Sequence, residues 1–265
     1  AEAKAAGEAD KIAVNEVTLC GADSINWKEE TNLGDLVADA LKWYAENKFD
    51  GFQKDAPVVA IQNGGNCDQF LYPGDVTKTD LLRALPFSPM GVGILYVTGN
   101  DLLNILEAGT SPSSDYGEEL CPGFGQVSGI EYVVHKYKEY QAGEEYGKFF
   151  RAKEVSRVEI QSVAGKDFDP KATYALITDN YLMNGNDTAY TIKDIRDGEN
   201  AKYLNNGNGV KTRDIVAMYI DQVLGGKIGD AYAKPQGRIT VYLEAPYDNP
   251  FTDVKGTEWF GPAVE

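Results

Sequence analysis

Hydrophobic residues repeat along this chain at two different spacings, and the two spacings predict both helices and strands. A spacing of three and four residues, typical of an amphipathic helix, is clearest over residues 32–48, where Thr31 is a suitable N-cap. Pro86 and the Gly225-Gly226 pair are suitable stops for two other helices. The predicted helices cover residues 32–48, residues 79–85, a stretch that follows Gly99, and residues 212–224.

Short apolar runs and alternating runs predict the strands. They cover residues 12–20, 57–62, 92–97, 126–136, 155–163, 173–178 and 238–243. Residues 110–125 predict a surface loop, and residues 138–147 predict an exposed hairpin or loop. Helices and strands interleave without a regular βαβ repeat, so the expected fold is α/β, with mixed layered sheets and flanking helices.

The size of the chain suits one large domain with a substantial core. It has 265 residues, of which 43% are hydrophobic and 11% aromatic, and this composition is typical of a folded protein. We expect that domain over residues 12–243. Residues 1–11 lack an apolar stripe and are interpreted as a linker helix or a frayed end.

The charge of the chain limits the partners that it can have. Twenty-five Lys and Arg against 41 Asp and Glu give a formal net charge of -16. A protein with that charge repels nucleic-acid backbones and anionic lipid surfaces, so neither is an expected partner. The longest nearly apolar run, residues 91–97, is too short to span a bilayer.

Candidate chemistry within the chain is sparse. It contains a single histidine, His135, which excludes most histidine-based metal centres and Ser-His or Cys-His triads. Three widely spaced cysteines, Cys20, Cys67 and Cys121, form no CxxC pair and are interpreted as small buried hydrophobes.

Four segments, in this order, carry a resemblance to a known family. They are residues 30–40 (ETNLGDLVADA), residues 63–65 (NGG) with 74–77 (GDVT) and 85–87 (LPF), residues 126–129 (QVSG), and residues 169–187. Together they resemble the C-terminal domain of 5′-nucleotidases and of the related 2′,3′-cyclic-nucleotide phosphodiesterases. The resemblance covers residues 12–240.

The resemblance implies a division of labour between two domains. In that family an N-terminal metallophosphatase domain holds two divalent metals and performs hydrolysis. The C-terminal domain binds the nucleoside between two aromatic rings, and a hinge rotation carries it to the metals. With one histidine and no motif of the metal domain, this chain is expected to be the recognition half of a nucleotide phosphohydrolase. It would need the separate metal domain for catalysis.

The resemblance also assigns candidate binding residues. The two stacking rings fall on Phe87 and Tyr181, while Asn63 and Asp187 fall on positions that hydrogen-bond the base or ribose. From the residues alone, Phe87 and Tyr181 are interpreted as packing residues beside a helix-ending proline and a strand end, and only the resemblance favours a binding role for them. Asn63 likewise fits an ordinary turn in Asn-Gly-Gly.

Among the positions that depart from the family pattern, three correspond to arginines in the family. Relatives often carry arginines where this chain has Trp27, Glu29 and Asp68. Those arginines pair with substrate phosphate in the family, and carboxylates cannot replace a guanidinium in that role. The sequence therefore predicts weakened phosphate recognition. It leaves open a second interpretation, a non-catalytic cell-surface binding module with a diverged pocket.

The last residues carry a shorter resemblance. After a proline-containing connector, residues 251–264 resemble the opening of an S-layer homology repeat, which attaches proteins to bacterial cell-wall polymers. A simple acidic tail is the alternative interpretation. The resemblance implies an extracellular, wall-associated bacterial protein, with residues 244–265 as a linker and the truncated start of such a repeat.

Overall fold

The computed structural model describes residues 10–87, 91–205 and 209–245. Almost all of the predicted leading segment lies outside these ranges, except that Lys11 belongs to the first strand. The residues that resemble an S-layer homology repeat also lie outside them.

The helices match the predicted ones closely and include three short ones that the sequence pattern did not indicate. They are α1 (Asp23–Asn26), α2 (Asn32–Asn47), α3 (Lys78–Ala84), α4 (Gly99–Ala108), α5 (Asn180–Met183), α6 (Tyr190–Arg196) and α7 (Thr212–Gln222). The Thr31 side chain accepts a hydrogen bond from the Gly34 amide, which confirms the predicted N-cap of α2.

The strands confirm the predicted mixed α/β class. They are β1 (Lys11–Asn15), β2 (Val58–Asn63), β3 (Gly74–Thr77), β4 (Val92–Thr98), β5 (Gly125–Ser128), β6 (Ile130–His135), β7 (Ala142–Tyr146), β8 (Phe149–Ala152), β9 (Val158–Val163), β10 (Lys166–Asp167), β11 (Thr173–Asp179), β12 (Tyr203–Asn205), β13 (Lys227–Ile228) and β14 (Ile239–Tyr242).

A mixed five-stranded sheet, in the order β12-β4-β11-β2-β5, lies at the centre of the fold. Its middle strand, β11, runs parallel to β2 and antiparallel to β4. Both faces of the sheet are covered, so its strands are nearly continuous apolar runs, and every residue of β2 is buried.

The two faces of this sheet support two hydrophobic cores. Successive strand residues point to opposite faces, so Ile94 packs with α2 and α7 while Leu95 packs with α4. The second core also includes a four-stranded sheet, β10-β9-β6-β14, and the first core reaches a three-stranded sheet, β13-β1-β3. The strands β7 and β8 pair as a separate hairpin, which begins inside the hairpin or loop predicted over residues 138–147 and extends beyond it to Ala152.

The single strand predicted over residues 126–136 is wrong in one respect. Gly129, with a φ of +79°, divides it into β5 in the central sheet and β6 in the four-stranded sheet. A residue with a side chain rarely adopts that conformation, so the glycine allows the chain to change sheets at this point. The apolar alternation changes phase at this glycine, between Val127 on one side and Ile130 and Tyr132 on the other, so the break leaves only a weak trace in the sequence.

Residues of the first and third family motifs connect distant parts of the fold. The buried Gln126 side chain accepts a hydrogen bond from the Thr31 amide (3.0 Å) and donates to the carbonyl oxygens of Asn26 (3.0 Å) and Glu29 (2.7 Å). This amide group therefore fixes the segment between α1 and α2 against β5. The segment contains Trp27, which faces the cleft described next.

Candidate ligand-binding cleft

An open cleft of about 340 Å³ lies at the carboxyl edge of the central sheet. The parallel strands β2 and β11 end there with Asn63 and Asp179. Ligand sites of open α/β sheets commonly form at this edge. The cleft is lined by Asp23, Trp27, Asn63, Gly65, Asn66, Asp68, Phe87, Tyr116, Pro122, Asp179, Tyr181 and Asp187.

The structure brings all four predicted site residues together in this cleft. Asn63, Phe87, Tyr181 and Asp187 come from segments up to 124 positions apart in sequence. Nothing in the local patterns required that meeting. Phe87 is 61% exposed, which is unusual for a large apolar ring and excludes a packing role in the core.

The carboxylate of Asp187 is held at the centre of a hydrogen-bond network. Its Oδ2 accepts from Nδ2 of Asn63 (2.9 Å), and its Oδ1 accepts from the hydroxyl of Tyr181 (3.1 Å). The backbone of Asp187 has a φ of +50°, in the left-handed region that non-glycine residues seldom adopt. Both features orient the carboxylate into the cleft.

The side chain of Asn63 is in turn held in place by Gln62. It is 3% exposed, and its Oδ1 accepts from Nε2 of Gln62 (2.7 Å). Gln62 Nε2 also donates to Oδ2 of Asp179 (3.1 Å). The asparagine thus forms part of a buried polar chain that positions Asp187, in addition to ending the strand before a Gly-Gly turn.

Two more aromatic rings line the cleft beside Phe87 and Tyr181. Trp27 and Tyr116 meet edge to face, with ring centroids 4.9 Å apart and an interplanar angle of 71°. Tyr116 comes from the loop between α4 and β5. No sequence signal marked that residue as part of a site.

The charge of the cleft is negative. Its lining includes four aspartates, Asp23, Asp68, Asp179 and Asp187, and no Lys or Arg among the described residues. Burial raises the pKa of Asp179 and of Asp187. Burial and the neighbouring charge of Asp68 both raise the pKa of Asp23. Asp68 is one of the three positions at which the resemblance leads us to expect an arginine.

Trp27 and Glu29, the other two residues at expected arginine positions, lie in different clefts. Trp27 lines this cleft, whereas Glu29 lines a separate cleft on the other side of the same segment. Burial raises the pKa of the Glu29 carboxyl there. The three departures therefore do not form one cluster.

Neither a metal cluster nor a membrane span is present in the described ranges. No group of three or more His, Cys, Asp and Glu side chains is placed to hold a metal ion among residues 10–87, 91–205 and 209–245. Within the same ranges, no helix is both long and apolar enough to cross a membrane. Cys20, Cys67 and Cys121 are buried free thiols, which confirms their interpretation as small hydrophobes.

The protein is a mixed α/β domain with an open aromatic cleft, and comparisons with known proteins place it in a family. Residues 11–194 match the family described as "5'-nucleotidase, C-terminal domain", and the chain belongs to that family.

The curated proteins related to this chain are much longer than the chain itself. It is 28% identical over 200 residues to the trifunctional nucleotide phosphoesterase protein YfkN of Bacillus subtilis, which covers 74% of this chain and 12% of the relative. A probable 5'-nucleotidase of Treponema pallidum is 28% identical over 138 residues, which is 51% of this chain and 21% of the relative. The chain therefore spans a minor part of the curated relatives that it matches.

Solved structures confirm the fold class. The 5'-nucleotidase precursor of Thermus thermophilus superposes with a TM-score of 0.69 at 24% identity, covering 92% of this chain and 42% of that one. The NAD nucleotidase of Haemophilus influenzae superposes with a TM-score of 0.63 at 16% identity, covering 91% of this chain and 40% of that one. The mixed sheets with flanking helices are those of 5′-nucleotidase C-terminal domains.

Proposed function

We propose that this domain binds the nucleoside part of a nucleotide substrate in the cleft that contains Phe87, Tyr181, Asn63 and Asp187. One observation carries the proposal: two partly exposed aromatic rings and an oriented carboxylate share a single concave site. A base is flat and apolar on its faces, and a ribose presents two neighbouring hydroxyls. The cleft offers a partner for each.

Each group has a distinct role in this proposal. Phe87 and Tyr181 stack on the base, and stacking of this kind contributes about 1–3 kcal/mol per base with little dependence on base identity. Asp187 accepts hydrogen bonds from the ribose hydroxyls through lone pairs that Asn63 and Tyr181 leave free. Asn63 acts through Asp187, by holding its carboxylate in place.

The proposal places phosphoester hydrolysis in a separate domain. Two divalent metals held by an N-terminal metallophosphatase domain would activate the attacking water and neutralise the phosphate. The small share of the relatives that this chain covers supports that arrangement. Secretion and attachment to a bacterial cell wall are proposed on residues 251–264 alone. The nucleotidase names of the relatives favour this function over a non-catalytic surface module.

Calorimetric titration of the 265-residue chain with adenosine tests the proposal. We expect saturable binding of one nucleoside per chain, and ribose alone should bind far more weakly because it lacks the stacking surface. If neither adenosine nor AMP binds at millimolar concentration, this cleft is not a nucleoside site.

The acidic lining predicts a preference for the nucleoside over its monophosphate. A 5′-phosphate adds nearly two negative charges to a ligand that enters among four aspartates. AMP should therefore bind more weakly than adenosine, and Asp68→Asn should reduce the difference by about fivefold, since one such repulsion is worth about 1 kcal/mol.

The matched control is Asp221→Asn, which removes an exposed aspartate from the end of α7. It should leave the ratio of the two affinities unchanged. Added salt should bring the affinities of the unaltered chain for adenosine and AMP closer together. Tighter binding of AMP than adenosine would contradict this account of the charge.

Nucleoside binding should also depend on pH through Asp187. The ribose requires the carboxylate form as acceptor, so the affinity is present above the pKa of Asp187 and lost as the pH falls through it. Burial raises that pKa, so the loss should begin at a higher pH than for an ordinary aspartate of pKa about 3.9.

Titrations with uridine measure this effect, because its base does not take up a proton in the acidic range. Asp187→Asn should bind uridine more weakly at neutral pH and should lose most of the pH dependence. The pKa values of Asp23 and Asp179 are also raised, so a variant that keeps the full pH profile would assign the effect to them.

A further inference from the structure

A second cleft, of about 450 Å³, lies at the carboxyl edge of the four-stranded sheet. The parallel strands β6 and β14 end there, and Lys136 and Leu243 follow them directly. It shares no lining residue with the first cleft. The two are separated by the segment in which Trp27 lines one cleft and Lys28 the other.

A buried guanidinium forms part of the wall of this second cleft. Arg157 is 4% exposed, and its Nε and Nη1 donate to the carbonyl oxygens of Lys138 (2.8 Å) and Thr110 (2.8 Å). The remaining amino group, Nη2, lies 3.9 Å from Oε2 of Glu118, which is too far for a hydrogen bond. A rigidly held and almost completely buried cation therefore keeps one donor group without a close acceptor among the described residues.

A second cation lies beside the first. Lys136 is half-buried, and within the described ranges no carboxylate forms an ion pair with its ammonium group. Burial, together with the nearby charge of Arg157, lowers the pKa of Lys136 to about 8. Arg157 is partly compensated by the charge of the buried Glu107 and by the Tyr140 ring, 5.5 Å away, whereas Lys136 lacks such a partner within the described ranges. A buried cation is costly in a folded protein unless an anion offsets it.

Acidic residues lie around these cations but do not neutralise them closely. Glu118, Glu119 and Glu139 are exposed, and the Glu118 side chain is 77% exposed. Glu29 is half-buried beside Lys28, and their charged groups are 3.9 Å apart. The cleft thus has a positive interior and a negative rim. Such a rim disfavours large polyanions, whereas a small anion can pass it.

We propose that this second cleft binds a small oxyanion, a phosphate or carboxylate group, between Nη2 of Arg157 and the ammonium of Lys136. Guanidinium and ammonium groups form their strongest hydrogen bonds with such oxygens. Tyr137, Val241 and Leu243 line the same cleft and would contact an apolar group attached to the anion. The exposed Glu118 competes with the ligand for Arg157.

Calorimetric titration of the 265-residue chain with inorganic phosphate, phenyl phosphate and benzoate tests the proposal. The three probes distinguish a phosphate from a carboxylate and measure the contribution of the apolar wall. At least one should bind saturably at one site per chain. Lys136→Gln should weaken that binding about tenfold or more, since a charge-assisted hydrogen bond is lost.

Two other variants test whether anion binding depends on the charges that line this cleft. Glu118→Gln should tighten binding severalfold because it removes the competing carboxylate. Lys171→Gln, which alters an exposed lysine outside the cleft, should leave it unchanged. Nuclear magnetic resonance gives a second readout: the pKa of the Lys136 amine should rise when the anion binds.

Three results would overturn the proposal. The first is no saturable binding of any probe by the unaltered chain or by Glu118→Gln. The second is equal affinity in Lys136→Gln and the unaltered chain. The third is a dependence on Asp187 rather than Lys136, with displacement by adenosine, which would place the anion in the first cleft.

Discussion

Replacing Phe87 with alanine should weaken adenosine binding by about 5- to 150-fold, since one stacking surface contributes about 1–3 kcal/mol per base. The ring is 61% exposed in the free domain, so its loss removes little buried surface. The free energy of unfolding should therefore change little, by about 0.5 kcal/mol or less. Calorimetric titration and urea denaturation measure the two quantities separately.

Tyr72→Ala is the matched control for this experiment. Tyr72 is 63% exposed and lies outside the cleft, so its loss should affect neither adenosine affinity nor stability by more than a small amount. Tyr181→Ala should weaken binding too, but it also removes the hydroxyl that donates to Asp187. Adenosine binding that is equally strong in the Phe87 variant and the unaltered chain would exclude this ring from the site.

Replacing Gln126 with alanine should lower the free energy of unfolding by about 3–5 kcal/mol, because two buried hydrogen bonds and one partly buried hydrogen bond lose their partner at once. The Thr31 amide and the carbonyl oxygens of Asn26 and Glu29 would remain without that partner. The same loss releases the segment that carries Trp27, so adenosine binding should weaken as well. Urea denaturation and calorimetry measure the two effects.

Gln222→Ala, which removes an exposed glutamine from the end of α7, should change stability by less than about 0.5 kcal/mol. A comparably small effect at Gln126 would contradict the structural role assigned to it. The close packing around the Gln126 side chain also explains why residue 34 is a glycine. A Cβ atom at Gly34 would lie 2.4 Å from Oε1 of Gln126.

The motif of residues 30–40 is largely structural in this protein. The Glu30 carboxylate accepts hydrogen bonds from the backbone amides of Arg238 (3.1 Å) and Ile239 (3.0 Å). The Arg238 guanidinium pairs with Asp39 at 2.8 Å and with Asp35 at 3.5 Å. These acidic residues anchor β14 to α2. A motif that identifies the family therefore need not contain the residues that bind the ligand.

The elements of the central sheet could be predicted because each is specified locally. Residues 57–62 and 173–178 are apolar runs that become β2 and β11, displaced by one residue at most. The N-cap at Thr31 and the stop at Pro86 act within one turn of their helices. The division of residues 126–136 at Gly129 was not predicted. The apolar alternation only changes phase there, between Val127 and Ile130, and the strands with which β5 and β6 pair lie far away in the sequence.

The amino-acid sequence by itself determined the mixed α/β class, the family motifs and the four candidate binding residues. It also determined the net charge of -16 and the lack of a second histidine. The fold class, the charge and the histidine count follow from composition and local periodicity, whereas the four candidate residues follow from the resemblance to the family.

The tertiary structure alone decided which of those residues share a site. Tyr116 and Asp23 lie in the cleft with Phe87, whereas Glu29 lines a different cleft from Trp27, although the two are only two positions apart in the sequence. The tertiary structure also brought Arg157 beside Lys136. Proximity between such segments arises from strand pairing and core packing over long sequence separations, and no local pattern contains that information.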